Sequence, residues 1–109
     1  MSFVESLFNV QESVVVVTGG GGALPSSIAV AFAKAGAKVA LWGRGTHHPM
    51  TRAADQVKKQ AGLPAEDPNV IGVTVDTVSS AACEAAFDET VKLLGMPDIL
   101  LNGVGGNMG

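Results

Sequence analysis

The sequence predicts a doubly wound α/β fold, a parallel sheet with helices on both faces, and three observations support it. Val14, Val15, Val16 and Val17 form an unbroken β-branched run, which suits a strand buried on both faces, as parallel strands are. That run passes through Thr18 into Gly19, Gly20, Gly21 and Gly22, and then into a helix-forming stretch. Downstream, strand-like and helix-like segments alternate over short connections, which calls for right-handed crossovers between parallel strands. The β-α-β-α-β-α-β alternation corresponds to the N-terminal half of a doubly wound nucleotide-binding fold, with strand order 3-2-1-4.

Each element has its own local signal. Ser2 and Glu5 form a capping box that starts a short helix carrying Val4, Leu7 and Phe8. Strand one covers residues 14–18. A helix follows over 25–35, with Ile28, Phe32 and Ala35 at i, i+4 and i+7 on one face. Gly36 stops it, and strand two covers 38–42. Residues 43–49 form a loop. A more polar helix over 51–61 turns Ala54, Val57 and Ala61 inward and ends at Gly62, with Pro64 beyond. Strand three is 70–75. Ser79 or Ser80 caps a helix reaching Leu94, with Cys83, Phe87, Val91 and Leu94 as its inward stripe. Gly95 and Pro97 punctuate it, residues 99–101 form strand four, and 103–109 form a glycine-rich loop.

Composition narrows the function classes. A chain of 109 residues is one domain with a modest core. Its net charge of −3 gives no reason to expect nucleic acid or an anionic membrane as partner. No apolar stretch has the length of a membrane-spanning helix, and no basic region precedes an apolar run at the N-terminus. Cys83 is the one cysteine, so no intramolecular disulfide forms and a reducing compartment, the cytoplasm, is expected.

The chemistry concentrates at the glycines. They let the backbone turn sharply and approach a ligand closely, while the helix beyond offers free N–H groups and a positive dipole end to a phosphate. The alternative is a plain flexible strand-to-helix turn. His47 and His48 are adjacent, without the spacing or the Cys and carboxylate company of a metal site, so a polar loop is expected there. Cys83 lies beside Phe87 on an inward helical face and is expected to pack rather than react. Trp42, closing strand two, is likewise expected to pack.

Four stretches together resemble the short-chain dehydrogenase/reductase family. Thr18-Gly19 and the glycines after it stand in place of that family's T-G-x-x-x-G-x-G turn. Trp42-Gly43-Arg44 ends strand two, where the family selects its cofactor. Asp76 follows strand three, where the family has an Asp that meets the adenine. Asn102-Gly103-Val104-Gly105 follows strand four and resembles the family's N-x-A-G segment. The runs 18–22 and 102–107 further resemble the sugar-acid branch, such as fructuronate (D-mannonate) reductases. Two departures stand out: Ala23 and Pro25 occupy the second and third motif glycine positions. Pro25 suits a first helical turn but removes a phosphate donor, for which the Ser26 and Ser27 hydroxyls could compensate.

The resemblance implies a Rossmann-type NAD(P)-binding fold. It assigns cofactor contacts to Gly19, Gly21, Gly22, Ala23 and Leu24 at the phosphates, and to Gly43 and Arg44 at the ribose. Asp76 and Thr77 fall at the adenine, and Asn102, Gly103, Val104 and Gly105 form the wall beyond strand four. NAD-preferring members place a carboxylate after strand two, and this chain has none there. Arg44 can instead pair with the 2′-phosphate of NADP, assisted by Thr46 and His47. NADP is therefore favoured over NAD, against the alternative that Arg44 is a solvated loop cation. Asp76 has a second reading as the cap of the turn into Ser79, and Asn102 as ordinary strand-end turn chemistry.

The family's catalytic groups have no counterpart. Members use a Tyr as general acid/base, with a Lys four residues later, and a Ser that polarises the substrate oxygen. This chain contains no tyrosine. It is expected to be a cofactor-binding fragment, inactive alone, of a homo-oligomeric enzyme acting on a small carbonyl or alcohol substrate. Strand four would then be an apolar sheet edge, and the isolated chain aggregation-prone. A stand-alone nucleotide-binding or interaction module without catalysis is the competing class. A reading frame past Gly109 carrying Tyr-x-x-x-Lys would separate the two. A P-loop phosphotransferase would need a Gly-Lys-Ser/Thr ending that the glycine loop lacks. A methyltransferase would want an acid where Gly43-Arg44 stands.

Overall fold

The computed structural model describes residues 13–19, 23–45, 49–76 and 78–102. The short helix expected at Ser2 lies outside them. The elements are β1 (Val14–Thr18), α1 (Ala23–Lys34), β2 (Lys38–Gly43), α2 (Met50–Ala61), β3 (Val70–Thr74), α3 (Ser80–Leu93) and β4 (Ile99–Asn102). The strands form one four-stranded sheet in the order β3-β2-β1-β4. Every pairing is parallel. The alternation of elements thus gives the expected sheet.

The valine run is buried along its whole length, and its alternate residues serve two cores. Val15 and Val17 join Val39 and Leu41 against Ala29 and Ala33 of α1 and Ala54 and Val57 of α2. Val14 and Val16 join Ala40, Trp42 and Val73 against Ala86 and Leu94 at α3. Side chains alternate across a strand, so each face of the sheet has its own helical cover.

Two helical faces differ from expectation. On α1 the residues in full contact with the sheet are Ala29 and Ala33, whereas Ile28 and Phe32 are half-buried and Ala35 is exposed. Small residues let the helix axis sit close to the strands, pushing the larger side chains to the flanks. Ala35 already belongs to the turn closed by Gly36, whose φ of 94° suits glycine. On α3 the buried line is Ala86, Thr90 and Leu94, while Cys83 and Val91 are half-buried and Phe87 is 40% exposed. Cys83 still packs, against the rim of the second core.

Helix ends follow their sequence signals. Gly62 adopts the left-handed conformation, and its N–H and that of Leu63 bond to the carbonyls of Lys59 and Lys58, a Schellman closure of α2. Ser79, not Ser80, caps α3, its side chain accepting from the Ala82 N–H at 3.2 Å. Helix α2 begins at Met50, one residue earlier than expected, directly over β3. A Cβ on Gly72 would collide with the Met50 carbonyl, so only glycine permits this approach.

Candidate functional site

Parallel strands place all their C-terminal ends at one edge, and here that edge collects the described residues singled out for cofactor binding. Thr18 lies opposite both Trp42 of β2 and Asn102 of β4, and Gly43 lies opposite Thr74 of β3. Gly19, Gly43, Arg44, Asp76 and Asn102 therefore stand within a residue or two of the same line across the sheet. The chain runs from β1 to β2 on one side, while β4 flanks β1 on the other. In open α/β sheets such a switch in strand order marks where ligands bind, outside the carboxyl ends of the strands.

The turn after β1 begins at Gly19 with a φ of 71°, a conformation that side-chain-bearing residues rarely adopt. Helix α1 opens at Ala23 with no acidic residue in its first turn to compete for an anion. Ser26 is half-buried and Ser27 exposed near that helix start. At the end of β2, Gly43 is buried and its carbonyl accepts from the Val75 N–H at 2.7 Å. Arg44 then emerges exposed, and among the described residues it has no ion-pair partner.

Asp76 is exposed, and its Oδ1 accepts from the Val78 N–H at 3.1 Å while its carbonyl accepts from the Ser79 N–H at 3.0 Å. That is the turn-capping geometry of an Asx turn leading into α3. Between the paired strands, the Thr18 hydroxyl donates to the Leu101 carbonyl at 3.4 Å, tying the end of β1 to β4. Gly21, Gly22, Thr46, His47, Thr77, Gly103, Val104 and Gly105 lie outside the described residues. Among the described residues, no three His, Cys, Asp or Glu gather closely enough to hold a metal ion. No described helix is long and apolar enough to cross a membrane.

Sequence reasoning missed one polar contact beneath this edge. The Trp42 indole Nε1 donates to the Thr90 hydroxyl at 3.1 Å, inside the second core. Trp42 therefore does more than pack. A buried tryptophan N–H needs an acceptor, and that requirement was the available signal.

The chain's likeness to known proteins agrees with this architecture. Residues 13–109 match the sequence profile described as short chain dehydrogenase. The chain belongs to the short-chain dehydrogenase family. An uncharacterised oxidoreductase of Mycobacterium tuberculosis is 34% identical over 102 residues, covering 94% of this chain and 36% of the relative. The chain thus spans little more than a third of that relative's length.

Solved structures agree. The apo form of glucose dehydrogenase from Caenorhabditis elegans superposes with a TM-score of 0.72 at 28% identity, covering 91% of this chain and 40% of that one. L-Sorbose reductase from Gluconobacter frateurii, solved with NADPH and L-sorbose, gives a TM-score of 0.68 at 28% identity over 85% of this chain and 34% of the other. The four-stranded sheet with its helices is the N-terminal part of a Rossmann-like fold, as in these neighbours.

Proposed function

We propose that this chain is the cofactor-binding portion of an NAD(P)-dependent oxidoreductase that favours NADP(H). Such a cofactor supplies a hydride to, or takes one from, a carbonyl or alcohol carbon. The chain's own residues bind and orient it. Gly19 lets the backbone turn beneath the phosphates, and the start of α1 offers them the positive end of its dipole. Asp76 and Thr77 hold the adenine side, and Asn102 to Gly105 bound the site beyond β4.

The observation that carries the choice of cofactor is Arg44. It is an exposed guanidinium without an ion-pair partner among the described residues, directly after the buried end of β2. A carboxylate there would repel a 2′-phosphate, whereas a guanidinium pairs with it through two parallel hydrogen bonds. NADPH in the L-sorbose reductase structure supports the same class of cofactor. The substrate in this reading is a polar carbonyl or alcohol, and the likeness of runs 18–22 and 102–107 to sugar-acid reductases supports a sugar acid. The working enzyme is a cytoplasmic homo-oligomer.

Calorimetric titration of the protein expressed from Met1 to its natural stop codon tests this. NADPH should bind at least about tenfold more tightly than NADH, and Arg44→Ala should remove most of that advantage, the size of a charged hydrogen bond. Equal affinities, unchanged by Arg44→Ala, would exclude NADP selection. Absence of binding to either nucleotide would exclude the enzyme reading in favour of a non-catalytic module.

A further inference from the structure

The Trp42–Thr90 contact lies directly beneath the residues that meet the cofactor in the proposed function. Trp42 stands in β2 with Thr18 of β1 on one side and Val73 of β3 on the other. One residue beyond Thr18 is Gly19, and two beyond Trp42 is Arg44. The indole is 7% exposed and Thr90 is completely buried. Nε1 donates to Thr90 Oγ1 at 3.1 Å, and Oγ1 in turn donates to the Ala86 carbonyl at 2.8 Å.

The hydroxyl hydrogen is committed to Ala86, so a lone pair of Oγ1 is left to face the indole. The ring is thereby fixed in direction as well as depth, which apolar packing alone does not achieve. Gly43, the next residue, is held from its other side by the Val75 N–H. The end of β2 is thus clamped by β3 within the sheet and by α3 through the indole. Arg44 leaves the sheet from that clamped point.

We propose that the Trp42–Thr90 hydrogen bond positions the end of β2 so that Arg44 meets a 2′-phosphate in register, making both residues positioning residues for cofactor selection. The proposal rests on the assignment of Arg44 to that phosphate. Paired guanidinium–phosphate hydrogen bonds depend on alignment, so a small tilt of the strand end weakens them before it weakens contacts to the rest of the nucleotide.

The test compares binding of adenosine 2′,5′-bisphosphate with that of 5′-AMP, using the protein expressed from Met1 to its stop codon. Thr90→Val keeps the side-chain shape without the hydroxyl, Trp42→Phe keeps an aromatic ring without the N–H, and Thr90→Ser keeps the hydroxyl. The ratio of the two affinities should fall about threefold to tenfold in Thr90→Val and Trp42→Phe, the span of one hydrogen bond. It should stay near the parent value in Thr90→Ser. The double variant should lose no more than either single one, because the two groups act as a unit.

An unchanged ratio in folded Thr90→Val overturns the proposal, as does an equal loss for both nucleotides, which marks a merely structural bond. Failure of Thr90→Val to fold while Thr90→Ser folds has the same meaning. Arg44→Ala separates the two levels. If it abolishes the ratio and Thr90→Val does not, only the positioning role fails. If the parent protein shows no ratio, the Arg44 assignment itself fails and takes this proposal with it.

Discussion

The backbone N–H of Val14 donates to the Asp98 carboxylate at 2.9 Å, while the Asp98 N–H donates back to the Val14 carbonyl at 2.8 Å. This reciprocal pair clasps the start of β1 to the start of β4, two strands far apart in sequence. It fixes the register that puts Thr18 opposite Asn102 at the far end. Asp98→Ala removes the side-chain half and should lower stability by about 1.5 kcal/mol, the lower end for a hydrogen bond to a charged group because Asp98 is exposed. Denaturant unfolding measures this, and Asp98→Asn, which keeps an acceptor, should recover most of the loss.

Two glycines should respond to alanine for opposite reasons. At Gly62 a Cβ meets nothing within 4 Å, but the φ of 76° strains any side-chain-bearing residue. Gly62→Ala should cost about 1 kcal/mol. At Gly72 the Cβ has nowhere to go, because the Met50 backbone already occupies its place. Gly72→Ala must push α2 off β3 and should cost about 3 kcal/mol or more. Thermal melts of the two variants side by side test the order.

Leu100 is opposite Val16 in β4 and turns to the α3 side of the sheet, yet it is 65% exposed. Among the described residues β4 is a sheet edge, so backbone groups and an apolar side chain are presented together. The 109-residue chain should self-associate with rising concentration, and Leu100→Lys should reduce this without lowering the melting temperature. Light scattering across a concentration series checks the first, and calorimetry the second.

The Arg44 assignment carries a salt dependence. A pairing between an exposed guanidinium and a phosphate is screened by added ions, whereas the buried apolar framework is not. The preference for NADPH over NADH should therefore shrink several-fold between low salt and about 0.5 M salt, with little change in NADH affinity. A preference insensitive to salt would move the selection away from Arg44. Isothermal titration at several ionic strengths decides it.

Local chemistry made much of the framework legible. Four consecutive valines require burial on both faces, Gly62 and Gly36 stop helices by backbone conformation, and Ser79 caps by its own side chain. Those effects act within a few residues, so they are written in the order of the chain. Helix faces were less legible. Expected stripes favoured the large residues Phe32 and Phe87, but the sheet receives Ala29, Ala33, Ala86 and Thr90 instead. Which side of a helix turns inward depends on how close its axis comes to the strands, and that distance is set by residues from other elements.

By itself, the sequence determined the alternation of strands and helices, the parallel sheet, and the residues that lie just past each strand end, because periodicity and glycine placement are local. Only the tertiary structure decided that Asp98 clasps Val14 across 84 residues of chain. It also decided that Trp42 finds its acceptor on α3 in Thr90, 48 residues away. Contacts of that kind join groups that composition and spacing leave unconnected, and they exist only once the sheet has brought the two ends together.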